Sequence, residues 1–195
     1  MANFKNTQNH ELKIQKWIKE GRGQGFGNNY KPWITIRDVS SEGRSHRVFG
    51  HKSQRTHHLL SDLELSTFLL LEWHPTTIDI REQYPLDIEK TLEIAKTIGI
   101  PHPRFGKHYQ IMTSDFLVDT HNTITPKFVV QVKYSNALND PRTIEKIEIE
   151  RQYWKQQNIP FYIFTEHQVP KTVSQNIQWL YVFLDYSASN KWQSC

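Results

Sequence analysis

Apolar and polar residues alternate in different rhythms along this chain, and the rhythms predict its elements. In ELKIQKWIKE (residues 11–20), Leu12, Ile14, Trp17 and Ile18 recur at helical spacing, predicting a short basic amphipathic helix ended by Gly21. PWITIRDV (32–39) and SHRVFGH (45–51) alternate with a period of two and are expected as strands. SDLELSTFLLLEW (61–73) reads as a helix closed by Pro75. TIDIREQYPL (77–86) reads as a strand, and residues 88–98 as a short helix ending at Gly99. TSDFLVD (113–119) and KFVVQVK (127–133) are expected as strands joined by the turn-rich THNTITP (120–126). The longest helical stretch is DPRTIEKIEIERQYWKQQN (140–158), followed by a buried strand in PFYIFT (160–165) and a helix in VSQNIQWLYVFL (173–184), with a frayed tail beyond. This mixed order predicts one α/β domain with flexible ends, divided as residues 1–20 (basic N-terminal segment), 21–182 (core domain) and 183–195 (tail).

Composition narrows the class. There is no run of 18 uncharged apolar residues, and MANFKNTQNHELKIQKW lacks a signal-peptide apolar core, so a soluble intracellular protein without a membrane segment is expected. The single cysteine, Cys195, excludes a disulfide framework or a Cys-based zinc site within one chain. Charge is uneven: residues 1–60 hold eleven Lys/Arg against four Asp/Glu (net +7), and the remainder holds thirteen against sixteen (net −3). The basic third contains GRGQGFGNNYKPW and then SSEGRSHRVFGHKSQRTHH, where Arg44, Arg47, Lys52 and Arg55 stand among small residues as candidate phosphate contacts. A solvated loop or hairpin explains the same charge equally well. No Gly-Lys-Ser/Thr follows the glycines, so this is not a P-loop.

Chemistry concentrates in the 113–133 hairpin. Alternation places Asp115, Leu117 and Asp119 on one strand face and Val129, Gln131 and Lys133 on one face of the next. An antiparallel pairing brings Asp115 beside Gln131 and Lys133. A carboxylate, an amide oxygen and the Val132 carbonyl then offer oxygen ligands to a hard cation, and Lys133 stands ready to offset phosphate charge. The pattern alone is common on solvated strand ends. Upstream, Ser61 and Glu64 form a capping box, yet Phe68 and Leu71 at i+4 and i+7 put Glu64 on a core-facing side, where a buried carboxylate needs a partner. Glu150 also faces inward, and an i−4 pair with Lys146 is its simpler explanation. A zinc site from His46, His51, His57 and His58 matches no usual ligand spacing, and no G-x-S-x-G element supports Ser-His-Asp hydrolysis.

The stretches EGRGQGFGNNYKPW, SEGRSHRVFGHKSQRTHHLLSDLELSTFLLLEW, DIREQYPL, SDFLVD, QVK and EKIEIERQYWKQQNIPFYIFT together resemble the catalytic domain of the TnsA-like endonucleases, subunits of heteromeric transposases, across about residues 18–182. The resemblance implies a restriction-endonuclease-like fold of the PD-(D/E)xK class, a mixed sheet flanked by helices. It implies an active site of Glu64, Asp115, Gln131 and Lys133, with Gln131 standing where most restriction enzymes have an acid, and with Glu150 behind it. It further implies Mg²⁺, with Mn²⁺ as a substitute, as cofactor. The implied task is hydrolysis of the 5′, non-transferred strands at transposon ends, beside a TnsB-type DDE transposase that cuts and joins the 3′ ends and a TnsC-type ATPase. Better-known members continue into a winged-helix-like second domain, most of which this chain is expected to lack, leaving partner contacts to the residues from about Asn176 to Cys195. A stand-alone restriction-type endonuclease and a non-catalytic architectural DNA-binding subunit are the competing readings.

Overall fold

A computed structural model describes residues 2–38 and 44–190, with side chains over 11–38 and 44–181. In chain order the elements are α1 (Ala2–Lys19), β1 (His46–Gly50), β2 (Arg55–Leu59), α2 (Asp62–Trp73), β3 (Thr77–Pro85), α3 (Ile88–Thr97), β4 (Arg104–Phe105), β5 (His108–Tyr109), β6 (Thr113–Thr120), β7 (Lys127–Val132), α4 (Pro141–Gln156), β8 (Phe161–Phe164) and α5 (Lys171–Asn190). The central sheet has the order β3-β6-β7-β8. Its first two pairings are antiparallel and β7–β8 is parallel, with α4 as the crossover.

The period-two rhythm of β6 and β7 divides the core into two layers. Phe116, Val118, Val130 and Val132 pack with Leu63, Phe68 and Leu69 of α2 and with Ile177 and Tyr181 of α5. On the opposite face, Leu117 and Val129 pack with Ile94 of α3 and with Ile149, Tyr153 and Trp154 of α4. A sheet with helices on both faces is the mixed α/β, restriction-endonuclease-like architecture expected of the sequence. Each fully buried apolar side chain contributes roughly 1.5–3 kcal/mol.

Local signals explain the helix starts. Ser61 accepts the Glu64 N–H at 3.0 Å, Asp87 accepts the Lys90 N–H at 3.0 Å, and Asp140 accepts from Thr143 with Pro141 following it.

Several expectations change. The first helix begins at Ala2, nine residues before the apolar periodicity does. PWITIRDV is not a strand over its described residues 32–38. Asp38 instead accepts from the Thr35 N–H and hydroxyl at 2.9 and 2.6 Å, closing a turn that outweighs the β-branched residues' preference. The small β4–β5 hairpin was not anticipated, and the last helix runs through the segment expected to fray as far as Asn190, so the 182/183 boundary falls inside it. Residues 191–195, including Cys195, lie outside the described residues.

The glycine-rich segment lies along β3, at the edge of the sheet. The Trp33 N–H donates to the Gln83 carbonyl at 3.2 Å, the Tyr30 hydroxyl donates to the Glu82 carbonyl at 3.0 Å, and the Gly27 N–H donates to Asp79 Oδ2 at 3.1 Å. Gly23 (φ 77°) passes so near Pro85 that a Cβ there would come within 2.2 Å of its ring. These glycines permit close backbone packing within the protein. Among the described residues, no helix is long and apolar enough to cross a membrane.

Candidate active site

Antiparallel pairing of β6 and β7 reaches Phe116↔Val130 and no further in this direction. Just past that point the side chains take over the ladder's hydrogen bonds. The Asp115 N–H donates to Gln131 Oε1 at 3.0 Å, and the Val132 N–H donates to Asp115 Oδ2 at 2.7 Å. Two strands that splay would leave buried backbone donors unpaired, and this exchange satisfies both while fixing Asp115 and Gln131 side by side. Lys133 Nζ lies 2.9 Å from the Val132 carbonyl oxygen and 3.4 Å from Asp115 Oδ2. The spacing QxK thus puts the amide and the ammonium beside one carboxylate, as alternation predicts.

Glu64 approaches from the other layer, at the first turn of α2. Its carboxylate accepts the Leu60 N–H at 2.9 Å and the Ser61 hydroxyl at 3.4 Å. Burial, reinforced by the negative charge of Asp115, pushes its carboxyl up to about 8, against the pull of the Leu60 N–H, Lys133 and Ser61. Glu150, on α4, is 2% exposed and accepts the Ser114 hydroxyl at 2.6 Å, while the Trp154 indole N–H donates to Ser114 Oγ at 2.8 Å. Its partner is therefore Ser114 and not the Lys146 suggested by helical spacing. Burial and Asp115 push Glu150 up to about 8 as well, against the Ser114 hydrogen bond and Lys133. Burial alone lowers Lys133, but Asp115, Glu150 and Glu64 outweigh it and its pKa is raised. One ammonium thus faces three carboxyl groups.

The four residues Glu64, Asp115, Gln131 and Lys133 are brought together, with Glu150 behind them. The basic set is not. Arg44 and Arg47 are exposed, whereas Arg55 is buried and donates 2.9 Å from Nη1 to Glu82 Oε1, and from Nη2 to the Ile80 carbonyl at 2.8 Å. Lys52 Nζ is held by the His74 and Thr77 carbonyls, the latter at 2.9 Å. Arg55 is thus a structural cation in this fold and Lys52 is already engaged, which removes both from the candidate phosphate contacts. Sequence cannot separate them from Arg47, since burial is set by β3 packing against β2.

The histidines do not converge either. His46 Nε2 lies 2.7 Å from Asp62, and His57 sits between Ser53 Oγ (2.6 Å) and Glu82 Oε2 (2.8 Å). Ser53, His57 and Glu82 form a relay of the hydrolase type that no sequence motif announces, yet all three are 2% exposed or less, sealed from any substrate. Gly50 makes room for them, since a Cβ there would stand 2.5 Å from His57 Nε2. Other residues at the site escaped sequence reasoning: Ser114, Trp154, Thr113 and Gln83. Nothing in REQYP singles out Gln83.

The chain is also similar to known proteins. Residues 74–166 match the TnsA-like endonuclease N-terminal family, a span that includes Asp115, Gln131, Lys133 and Glu150 and begins after Glu64. The chain is 51% identical over 176 residues to the transposon Tn7 transposition protein TnsA of Escherichia coli. That alignment covers 90% of this chain and 64% of the relative, so the chain spans a little under two thirds of the relative's length. In its sheet sandwiched by helices, in the carboxylate–amide–lysine cluster at the splayed end of its central hairpin, and in identity at this level, the chain is similar to the TnsA-like endonucleases.

Proposed function

We propose that this chain is the metal-dependent DNA endonuclease subunit of a heteromeric transposase, hydrolysing the 5′, non-transferred strands at transposon ends. The observation that carries the reading is the charge imbalance at the splayed hairpin: Glu64, Asp115 and Glu150 converge on a single ammonium, and two of the three are pushed up to about 8. A site built this way lacks positive charge. Among the described residues no three His, Cys, Asp or Glu side chains form a metal cluster by themselves, and in this reading the Gln131 amide and the Val132 carbonyl add their oxygens to those of Glu64 and Asp115. Glu64, Asp115, Gln131 Oε1 and the Val132 carbonyl are all hard oxygen donors. Gln131 and Val132 each accept one hydrogen bond and keep a second lone pair. This donor set fits Mg²⁺, with Mn²⁺ as substitute, and does not fit zinc.

A dication held by Glu64, Asp115, Gln131 and the Val132 carbonyl would supply the positive charge that lowers the pKa of a water and offsets negative charge on the phosphate. The chain's own residues do the rest. Val132 N–H holds Asp115 in place, and the capping box holds Glu64. Lys133, already charged and half-buried, presents its ammonium to the phosphoryl oxygens as charge builds there. One water-oxygen-to-phosphorus bond forms while one phosphodiester P–O bond breaks.

The relative's description as a transposition protein supports the biological setting. The partners that follow are end DNA, a TnsB-type transposase that places the cut, and a TnsC-type ATPase. Arg44 and Arg47, exposed on the basic third, contact the DNA backbone. The test uses purified chain, a TnsB-type transposase and end DNA with Mg²⁺. Lys133→Ala is expected to bind the complex like wild type and to cut at least a hundredfold more slowly, on the order of an oxyanion donor's loss. Wild-type cutting by that variant overturns the catalytic reading in favour of an architectural role. Cutting at any sequence without the transposase favours a stand-alone nuclease.

A further inference from the structure

Gln83 stands against this site and has no role in the chemistry described so far. It lies on β3 between Glu82↔Phe116 and Tyr84↔Ser114, directly across from Asp115. It is 3% exposed. Its backbone has φ 48°, in the left-handed region that a non-glycine residue seldom occupies. Two other non-glycine residues share that region among those described, Gln54 and Asn158. Both lie in connections, Gln54 between β1 and β2 and Asn158 just after α4. Gln83 alone holds the conformation inside a strand, and the β3–β6 register is the same on both sides of it. Strand pairing therefore does not require the strain, and such outliers concentrate where a side chain must be aimed.

The side chain is held at both ends. Thr113 Oγ1 donates to Gln83 Oε1 at 3.1 Å, and Gln83 Nε2 faces Asp115 Oδ1 at 3.4 Å. The opposite amide orientation would set two oxygens against each other at Asp115, so the carboxylate fixes which end points where. Meanwhile the Gln83 carbonyl accepts the Trp33 N–H at 3.2 Å, tying the strained residue to the glycine-rich segment. Asp115 Oδ2 is occupied by the Val132 N–H and Lys133. Gln83 is the protein partner of the other oxygen.

We infer that Gln83 is a positioning residue, whose strained backbone aims an amide that fixes Asp115 Oδ1 as a ligand oxygen for the divalent cation. The inference rests on the metal-dependent reading above. Groups that orient a metal ligand typically change affinity by 10–100-fold when lost.

The experiment measures Mn²⁺ binding to the purified chain without DNA, following the electron paramagnetic resonance signal of free Mn²⁺, beside thermal melting in EDTA. Gln83→Asn keeps an amide and suits a left-handed backbone but is one methylene too short to reach Asp115. Gln83→Ala removes the amide entirely. Both are expected to weaken Mn²⁺ binding about tenfold or more while melting within a few degrees of wild type. Lost cutting should return as Mn²⁺ is raised. Thr113→Val, which frees the amide to rotate, should move binding in the same direction by less. Unchanged Mn²⁺ affinity in a folded Gln83→Asn protein overturns the positioning role and leaves the nuclease reading standing. If wild type binds no Mn²⁺, both fall together. If neither Gln83 variant folds, the residue is a structural prop and the inference is overturned.

Discussion

Two buried carboxylate centres in this protein have opposite fates. Glu82, fully buried on β3, is met by the His57 ring, the Arg55 guanidinium and the His58 N–H, and although burial pushes its carboxyl up, His57 and Arg55 hold it well below the usual range. Glu64 and Glu150 are nearly as buried but meet hydroxyls, one backbone N–H and a lysine shared with Asp115, and both are pushed up to about 8. Burial is common to the two centres, and the supply of positive charge differs. A carboxylate whose cations come with the fold is structural. One that lacks them is prepared for a charge arriving from outside. The Ser53–His57–Glu82 relay makes the same point from the other side, since it has hydrolase geometry and no access.

The comparison is broken most severely by emptying one centre. Asp115→Ala should reduce 5′-end cutting by at least a thousandfold in a reaction reconstituted with a TnsB-type transposase, without unfolding, because the negative charge that raises Glu64 and Glu150 is lost with it. With 3′ joining retained, the products should shift toward cointegrates. Circular dichroism and gel analysis check both halves, and a folded variant that still cuts would sink the site.

At the structural centre the effect should appear in stability. Glu82→Gln leaves Arg55 buried without its counter-ion, which costs about 3–5 kcal/mol, to be read from urea denaturation. The cutting rate per folded molecule should change little. A loss of less than about 1 kcal/mol would mean that Glu82 is not the anchor its contacts describe.

pH separates the centres next. Glu64 and Glu150 keep their protons in the folded, metal-free protein up to about 8, whereas an unfolded glutamate loses its proton near 4.5. The folded state therefore binds more protons between those values. Stability in EDTA should fall as pH rises through that window, by at most about 1.4 kcal/mol per pH unit for each group. Glu64→Gln should flatten the slope. Glu82 acts with the opposite sign, its contribution being present above about 4.5 and lost as pH drops toward its depressed folded value. Melting curves at stepped pH distinguish the two.

The smallest change concerns the exposed cations. Arg44→Ala with Arg47→Ala should weaken DNA engagement and reduce the slope of log affinity against log salt by about two at most, roughly one per phosphate contact, with turnover of bound complex unchanged. Should this pair abolish turnover while Lys133→Ala abolishes binding, the roles of hairpin and basic third would have to be exchanged.

How much of this the residues announce depends on the range of the interaction. Alternation within β6 and β7 is local, so Asp115, Gln131 and Lys133 were legible, and the capping box made Glu64 legible at the start of α2. Glu150 was visible as an inward acid but its partner was not, because Ser114 lies 36 residues away and is brought to it only by the sheet. Arg55 and Arg47 look alike in SHRVFGHKSQRTHH, yet Glu82, 27 residues on, claims the first and leaves the second exposed. PWITIRDV misled because a side-chain turn at Asp38 is invisible to periodicity. Gln83 was out of reach, since a left-handed residue inside a strand leaves no signature in composition or spacing.

The glycine-rich strap over β3 has a consequence for how this protein keeps company. An open sheet edge is a template on which any extended segment, including another copy's, can add by backbone hydrogen bonding. Here the carbonyls of Glu82 and Gln83 are already taken by Tyr30 and Trp33, and Gly23 lies against Pro85. Growth by strand addition is blocked on that flank where it lies nearest to Asp115. A neighbour approaching from β3 must dock on side chains, so its recognition is set by residue identity and not by the shared grammar of the peptide bond.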